Sequence, residues 1–298
     1  AISLNLCVGI LGELSLGHAG FMSVGAFSGV ISVIALQTSV PNDIARLVIS
    51  MIIGGAIAAV AGIIIGVPVL RLSGDYLAIV TLAFGEIIKN IMNNIYIGID
   101  GSGLHFSLTD AASLGMTNGT VIVNGPMGAV GIDKVSTFVA GFILILVVLF
   151  ITLNFIDSRT GRAVMAIRDN RIAAEATGIN ITKYKMMAFV TSAALAGMAG
   201  ALYALNYSTI VPKKFDFNTS ILILVFVVLG GIGNIRGSII AAAILTLLPE
   251  LLRAFSDYRM LIYAIVLILV MVATNNSDLR NRIERIKHSF AHGSKSKA

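Results

Sequence analysis

Charge is scarce in this sequence. Only 12% of its 298 residues are Asp, Glu, Lys or Arg, where an ordinary soluble domain carries about a quarter. With 57% hydrophobic residues and a mean hydropathy of +0.93, the chain cannot cover a water-facing surface, so its solvent must largely be lipid. Cysteine is nearly missing too: Cys7 alone excludes an internal disulfide framework and a Cys-based metal cluster. No GxxxxGK[ST] occurs, so the glycine-rich phosphate cradle and lysine of a P-loop ATPase are lacking, as is a soluble α/β segment to house them. The histidines are scattered or in the tail, at His18, His105, His288 and His292. The last two have the i, i+4 spacing of helical metal ligands, but with no third ligand they read as part of a solvated tail. Neither a catalytic constellation nor a metal site is expected. Asn118 opens an "NGT" glycosylation pattern, a frequent chance match. The first residues carry no charged n-region, so no signal peptide is read, and a preceding hydrophobic segment is expected.

Long apolar runs are what the chain has instead. A spanning helix needs roughly 20 predominantly apolar residues. Candidates lie at 2–36 (broken), 44–70, 75–95, 134–156, 185–208, 217–233, 237–254 and 260–274. The expected fold is an all-α integral membrane protein, a polytopic bundle of about eight transmembrane segments including broken Gly-rich helices. The segment 75–95 is polar enough to face protein or water on one side. A Gly-, Ser-, Thr- and Asn-rich connection at 96–133 holds the β-prone pieces "LHFSL" and "TVIV" and predicts a small, partly β cap. The connection at 157–184 is basic and helix-prone. Residues 1–274 then form the transmembrane domain and 275–298 a basic tail.

Orientation follows from Lys and Arg, which concentrate in cytoplasmic loops. With 157–184 inside, the 21 basic residues divide 14 inside to 7 outside or near it. The opposite orientation inverts that bias. The C-terminus is therefore expected in the cytoplasm and the cap outside, which accounts for the net charge of +6 better than nucleic acid does.

Residues 9–29, "GILGELSLGHAGFMSVGAFSG", set a carboxylate, an imidazole and closely spaced glycines in an apolar run. Such glycines permit close packing or a break, and backbone freed by a break must face protein or water. A carboxylate at bilayer depth costs a few kcal/mol, so Glu13 should face the bundle interior or a boundary. Two readings stand. In one, a broken helix lies beside the permeation path, with Glu13, Ser15 and His18 shaping it. In the other, a packing helix has Glu13 near the cytoplasmic interface and His18 bonded to backbone. A faint echo, "LGGIGNIRG" at 229–237, adds Gly230, Gly231, Gly233 and Asn234 to the candidates, since paired interrupted segments point to a transport pathway. Glu86 and Asn90 share a helical face beside Lys89 and read as an interhelical polar contact.

In the basic loop, Thr160 can cap a first helix over "GRAVMAIR", and Asp169 or Asn170 a second over "RIAAEATG", with Gly178 ending it left-handed. Ile172, Ala176 and Ile179 recur at helical spacing and suit docking into a protein groove. The alternative is a solvated basic loop.

The string "SRTGRAVMAIRDNRIAAEATGIN" followed by "KYKMMAFVTSAALAGMAGALYA" resembles the cytoplasmic coupling loop and next helix of ABC-importer permeases for branched-chain amino acids, most of all the LivM type. "LNLCVGILGELSLGHAGFMSVGAF", "GDYLAIVTLAFGEI" and "LVFVVLGGIGNIRGSIIAAAIL" resemble the same family's early, middle and late motifs, so the resemblance runs over residues 4–274. It implies a bacterial inner-membrane protein that forms the translocation path with a second, LivH-like permease. Two cytoplasmic ATP-binding subunits dock below, an extracytoplasmic binding protein delivers the amino acid, and the permease carries no cofactor of its own. By position, Arg168, Asp169, Asn170, Ala173, Ala174, Glu175, Ala176 and Gly178 would form the ATPase-coupling helix. Urea or short amides are alternative solutes. A self-sufficient secondary transporter is the alternative class, against which stand the few intramembrane acids and the coupling-loop match. A membrane scaffold leaves the interrupted helices unexplained.

Overall fold

The computed structural model describes residues 1–252 apart from 38, 73, 102, 117 and 118, together with residues 264, 265 and 268. The expected span at 260–274, the tail with His288 and His292, and the Asn118 acceptor lie essentially outside the described residues. The described chain is mostly helical. In order it forms α1 (Ile2–Leu11), α2 (His18–Ala35), α3 (Asp43–Val69) and α4 (Asp75–Asn94). Strands β1 (Tyr96–Asp100), β2 (Gly103–Ser107), β3 (Thr120–Asn124) and β4 (Ala129–Val130) follow. After them come α5 (Phe138–Asp157), α6 (Arg159–Asp169), α7 (Arg171–Ala176), α8 (Ile181–Ala204), β5 (Thr209–Ile210), α9 (Phe217–Gly230) and α10 (Ile235–Leu251). Two compact units are present, residues 1–224 and 225–298.

Among the described residues, four helices, α2, α3, α5 and α8, are long and apolar enough to cross a membrane. On α5, Phe138, Phe142, Leu146 and Phe150 are all exposed, as expected of a helix apolar all round whose solvent is lipid. By contrast α2, α3 and α8 pack on one another through small residues. A Cβ on Gly25 would come within 2.1 Å of the Gly197 carbonyl oxygen, and one on Gly200 within 2.0 Å of the Met22 carbonyl oxygen. Only glycine permits backbones this close, the packing device of membrane helices, where hydrophobic exclusion supplies little drive. Phe27, Val30 and Val33 of α2, with Ala201 and Ala204 of α8, continue this core upward.

That core ends beneath a five-stranded antiparallel sheet in the order β2-β1-β3-β4-β5. Ile97, Val123, Ala129 and Ile210 bury one face of it against the helices. "LHFSL" and "TVIV" do form strands, β2 and β3. Strands β1, β4 and β5 are additional, and β5 arrives from beyond α8 to pair Ile210 with Ala129. In the second unit, the end of α9 is followed by a turn through Gly231 and Gly233, both left-handed (φ 92° and 83°), and α10 begins on the Asn234 cap.

Candidate functional site

The first helix starts as an α-helical turn and becomes π-helical over Leu6–Leu11. It stops at Gly12, whose φ of 79° is left-handed, a conformation in which glycine meets no steric penalty. Residues 12–17 are non-helical, and α2 begins at His18 without a side-chain cap. The first candidate span is therefore broken, as its glycines predict.

Backbone freed by the break is bonded to protein. Glu13 N–H donates to the Cys7 carbonyl (3.2 Å) and Gly20 N–H to Gly17 (3.0 Å). Leu16 N–H donates to Thr81 Oγ1 on α4 (3.0 Å), and Ala19 N–H to Ser220 Oγ on α9 (3.2 Å). The Gly9 carbonyl accepts from Arg168 Nη1 at 2.8 Å. Arg168 comes from the end of α6, and Asp169 Oδ1 orients it by accepting from Nε (3.1 Å) and Nη2 (3.0 Å).

Glu13 is buried and forms an ion pair with buried Lys185, near the start of α8. Its partner is thus a lysine beside the basic loop. His18 is buried too, but bonds side chains rather than backbone: Nδ1 lies 3.4 Å from Ser15 Oγ and Nε2 2.9 Å from Ser192 Oγ. The Ser192 hydroxyl donates its one proton to the Ser3 carbonyl. It must therefore accept from His18, which places the imidazole proton on Nε2 and makes Ser15 the donor to Nδ1. The His18 ring also meets Phe21 edge-on, with centroids 5.9 Å apart.

Glu13, Ser15 and His18 come together at the break, and none of them lines the apolar cavity beside α2. That cavity, about 510 Å³, lies between α2, α3, α4 and the sheet, with Phe27, Ile31, Ile57, Met92, Ile97 and Phe106 on its wall. Its lining is almost wholly apolar: Ser28 and Ser32 donate their hydroxyl protons to the carbonyls of Val24 and Ser28. Glu86 pairs with Lys89 on its own helix.

Before α9, Asp216 Oδ1 accepts from Thr219 N–H (2.9 Å) and the Thr219 hydroxyl (3.1 Å), while Oδ2 accepts from the Asn218 amide (3.1 Å). Burial presses this carboxyl upward, but those bonds, with Lys89 nearby, outweigh it and hold it below its ordinary value. In the second unit, Gly230 ends α9 with no room for a Cβ, which would fall 2.3 Å from Ser238 N. Asn234 Oδ1 accepts from Gly237 N–H at 3.1 Å.

The basic loop folds as two short helices. Ser158, not Thr160, caps α6, accepting from Gly161 N–H (3.1 Å), because the chain leaves α5 at Asp157 and turns at once. Asn170 rather than Asp169 caps α7 through Ala173 N–H (3.0 Å), and Gly178 follows left-handed at φ 86°. Ala174 packs with Ile167, Ile179 and Ile181. Ile172 is 81% exposed, so Ile172 and Ile179 do not share one docking face. Ala173, Glu175 and Ala176 are exposed with Ile172, whereas the Arg168 side chain, exposed in part, reaches back to the Gly9 carbonyl.

Sequence reasoning missed Lys185, Thr81, Ser192 and Ser220. One signal was available: an acid in an apolar run requires a cation, and the few lysines near helix ends are the candidates.

Residues 1–271 match the family described as branched-chain amino acid transport system / permease component. The chain is 34% identical over 289 residues to the high-affinity branched-chain amino acid transport system permease protein LivM of Salmonella typhimurium and to that of Escherichia coli, covering 91% of this chain and 64% of each relative. It thus spans less than two thirds of the length of these relatives. It is also 26% identical over 290 residues to the permease protein LivH of Salmonella typhimurium, covering 96% of this chain and 92% of that one. No solved structure matches the chain. The broken apolar helix, the small-residue helix packing and this match over nearly the full length together place the chain in the branched-chain amino acid ABC transporter permease family.

Proposed function

We propose that the chain is a permease subunit of an ATP-driven importer for branched-chain and other hydrophobic amino acids, working in the bacterial inner membrane. It forms the translocation path with a second, LivH-like permease. Two cytoplasmic ATP-binding subunits dock beneath, and an extracytoplasmic binding protein delivers substrate to the sheet side. With α1 and α2 counted as one broken span, α4, α9 and α10 join α3, α5 and α8 in crossing the bilayer, and the span expected at 260–274 brings the number to about eight, with the C-terminus inside. No cofactor is held by the permease, and ATP is bound by the partners.

The observation that carries this reading is family membership over residues 1–271, and the loop geometry supports it. A short helix held by buried Ala174 presents Ile172, Ala173, Glu175 and Ala176 outward, as a knob for a partner's groove requires. The apolar cavity wall accords with an aliphatic cargo. ATP-driven closure of the partners would displace α7 and switch the permease between its outward- and inward-facing states, which must differ in their contacts with the partners.

The complex with its partners, reconstituted in vesicles, tests the reading through ATP-dependent leucine uptake in the presence of excess isoleucine, valine, urea or ribose. Competition by the two aliphatic amino acids alone is the expected result. The Glu175→Arg variant is expected to lose ATPase association and uptake together, and if both survive, α7 is not the docking element.

A further inference from the structure

We infer that Arg168 and Lys185 are the positioning residues that tie the α7 loop to the break between α1 and α2, so that movement of the loop reshapes the break. The inference rests on the proposed coupling role of α7 and adds where its displacement is received.

Three observations carry it. First, the C-terminal end of α1 is capped from the loop. Arg168 Nη1 donates to the Gly9 carbonyl, and its aliphatic stem fills the space beside Gly12, where a Cβ would lie 2.5 Å from Arg168 Cγ. A guanidinium suits this end, where unsatisfied carbonyls concentrate partial negative charge. Second, Glu13 is held by Lys185, which enters α8 just after the loop. Both are buried, at 8% and 5% exposure, so this pair is not a solvated surface contact. Third, these residues stand on either side of α7 (Arg171–Ala176), which itself has one buried residue, Ala174. Both roots of the exposed helix are thus bonded at the break, one to the last turn of α1 just before it and one to the carboxylate within it. Across the break, Leu16 is tied to Thr81 of α4. The break therefore lies between α4 and the loop.

A purely structural cap and ion pair predicts that loss of either lowers assembly, ATP hydrolysis and transport in proportion. A coupling role separates them. In the assembled complex in vesicles, Arg168→Ala and Arg168→Gln are expected to lower the leucine imported per ATP hydrolysed at least tenfold. The Gln variant keeps the stem beside Gly12 and guards against loss of fold. Lys185→Arg is expected to keep import per ATP within threefold, and Lys185→Met to lose it. Unchanged import per ATP in both Arg168 variants, or a fall matched by hydrolysis, overturns the inference.

A second measurement does not depend on transport. In the permease alone, with Cys7→Ser, a spin label at Leu14→Cys is expected to become mobile when Arg168→Gln is added. An unaltered spectrum overturns the inference. A parent complex that imports nothing while the label still responds overturns the importer reading and leaves the loop-to-break tie standing.

Discussion

His18 Nε2 lies 2.9 Å from Ser192 Oγ, joining residues 174 positions apart and bolting the start of α2 to the middle of α8. The proton order along this chain is fixed, because the Ser192 hydroxyl donates onward to Ser3. Ser192→Ala is expected to cost about 1 kcal/mol, the scale of one interhelical hydrogen bond within a membrane protein. His18→Ala, which also removes the ring from Phe21, is expected to cost about 3 kcal/mol. The double variant is expected to cost less than the two added, since both substitutions break one bond. Unfolding of the detergent-purified chain measures all three, and strict additivity would show the network to be absent.

Gly197 is expected to tolerate nothing larger. A Cβ there would meet Ala58 Cβ at 2.3 Å and the Gly54 carbonyl oxygen at 2.7 Å, so Gly197→Ala pushes α8 off α3 and is expected to cost about 2 kcal/mol. Gly101, with no atom within 4 Å of its added Cβ and no left-handed φ, is the control. Gly101→Ala is expected to stay within about 0.5 kcal/mol of the parent. Equal melting temperatures for the two variants would refute the close approach.

Asp216 predicts a pH dependence. Its folded value is depressed, so its contribution is complete above the unfolded value near 4 and is lost as pH falls through the folded one. At neutral pH, Asp216→Ala is expected to cost about 1 kcal/mol as the loss of a helix cap. The gap between parent and variant should close as the medium is acidified below about pH 4. A gap that widens on acidification reverses the sign and rejects the capping account.

Sidedness is open to labelling, because Cys7 is the sole cysteine and is buried. In a Cys7→Ser background, Thr177→Cys is expected to react with an impermeant maleimide only in permeabilised cells, and Thr109→Cys in intact cells. The reverse pattern would invert the orientation.

Much of this architecture was legible because its signals are local. Asn170 and Gly178 bracket α7 with a side-chain acceptor and a left-handed stop, both readable within ten residues. The glycines of residues 9–20 likewise announced the break. Where two neighbours offer the same chemistry, local reading does not choose: Ser158 and Thr160 are both hydroxyls, and the cap fell to the one nearest the end of α5. The two-residue strand β5 has no periodicity to detect, and Ile210 pairs with Ala129, 81 positions earlier. The cation for Glu13 lies 172 positions away, and no spacing rule reaches that far. Ile172 followed the expected helical period, yet Ala174 became the anchor, since packing against Ile167 and Ile181 rotated the short helix.

The run of α8 has a mechanical corollary. Its 24 residues are unbroken, a rod about 36 Å long. Lys185 stands near its start, and a few residues past its end the chain becomes the edge strand of the sheet. Ser136 N–H also bonds the Leu205 carbonyl at that end. Opposite extremities of the first unit are therefore a single stiff strut apart, and a tug on one can arrive at the other without any relay of side chains between them.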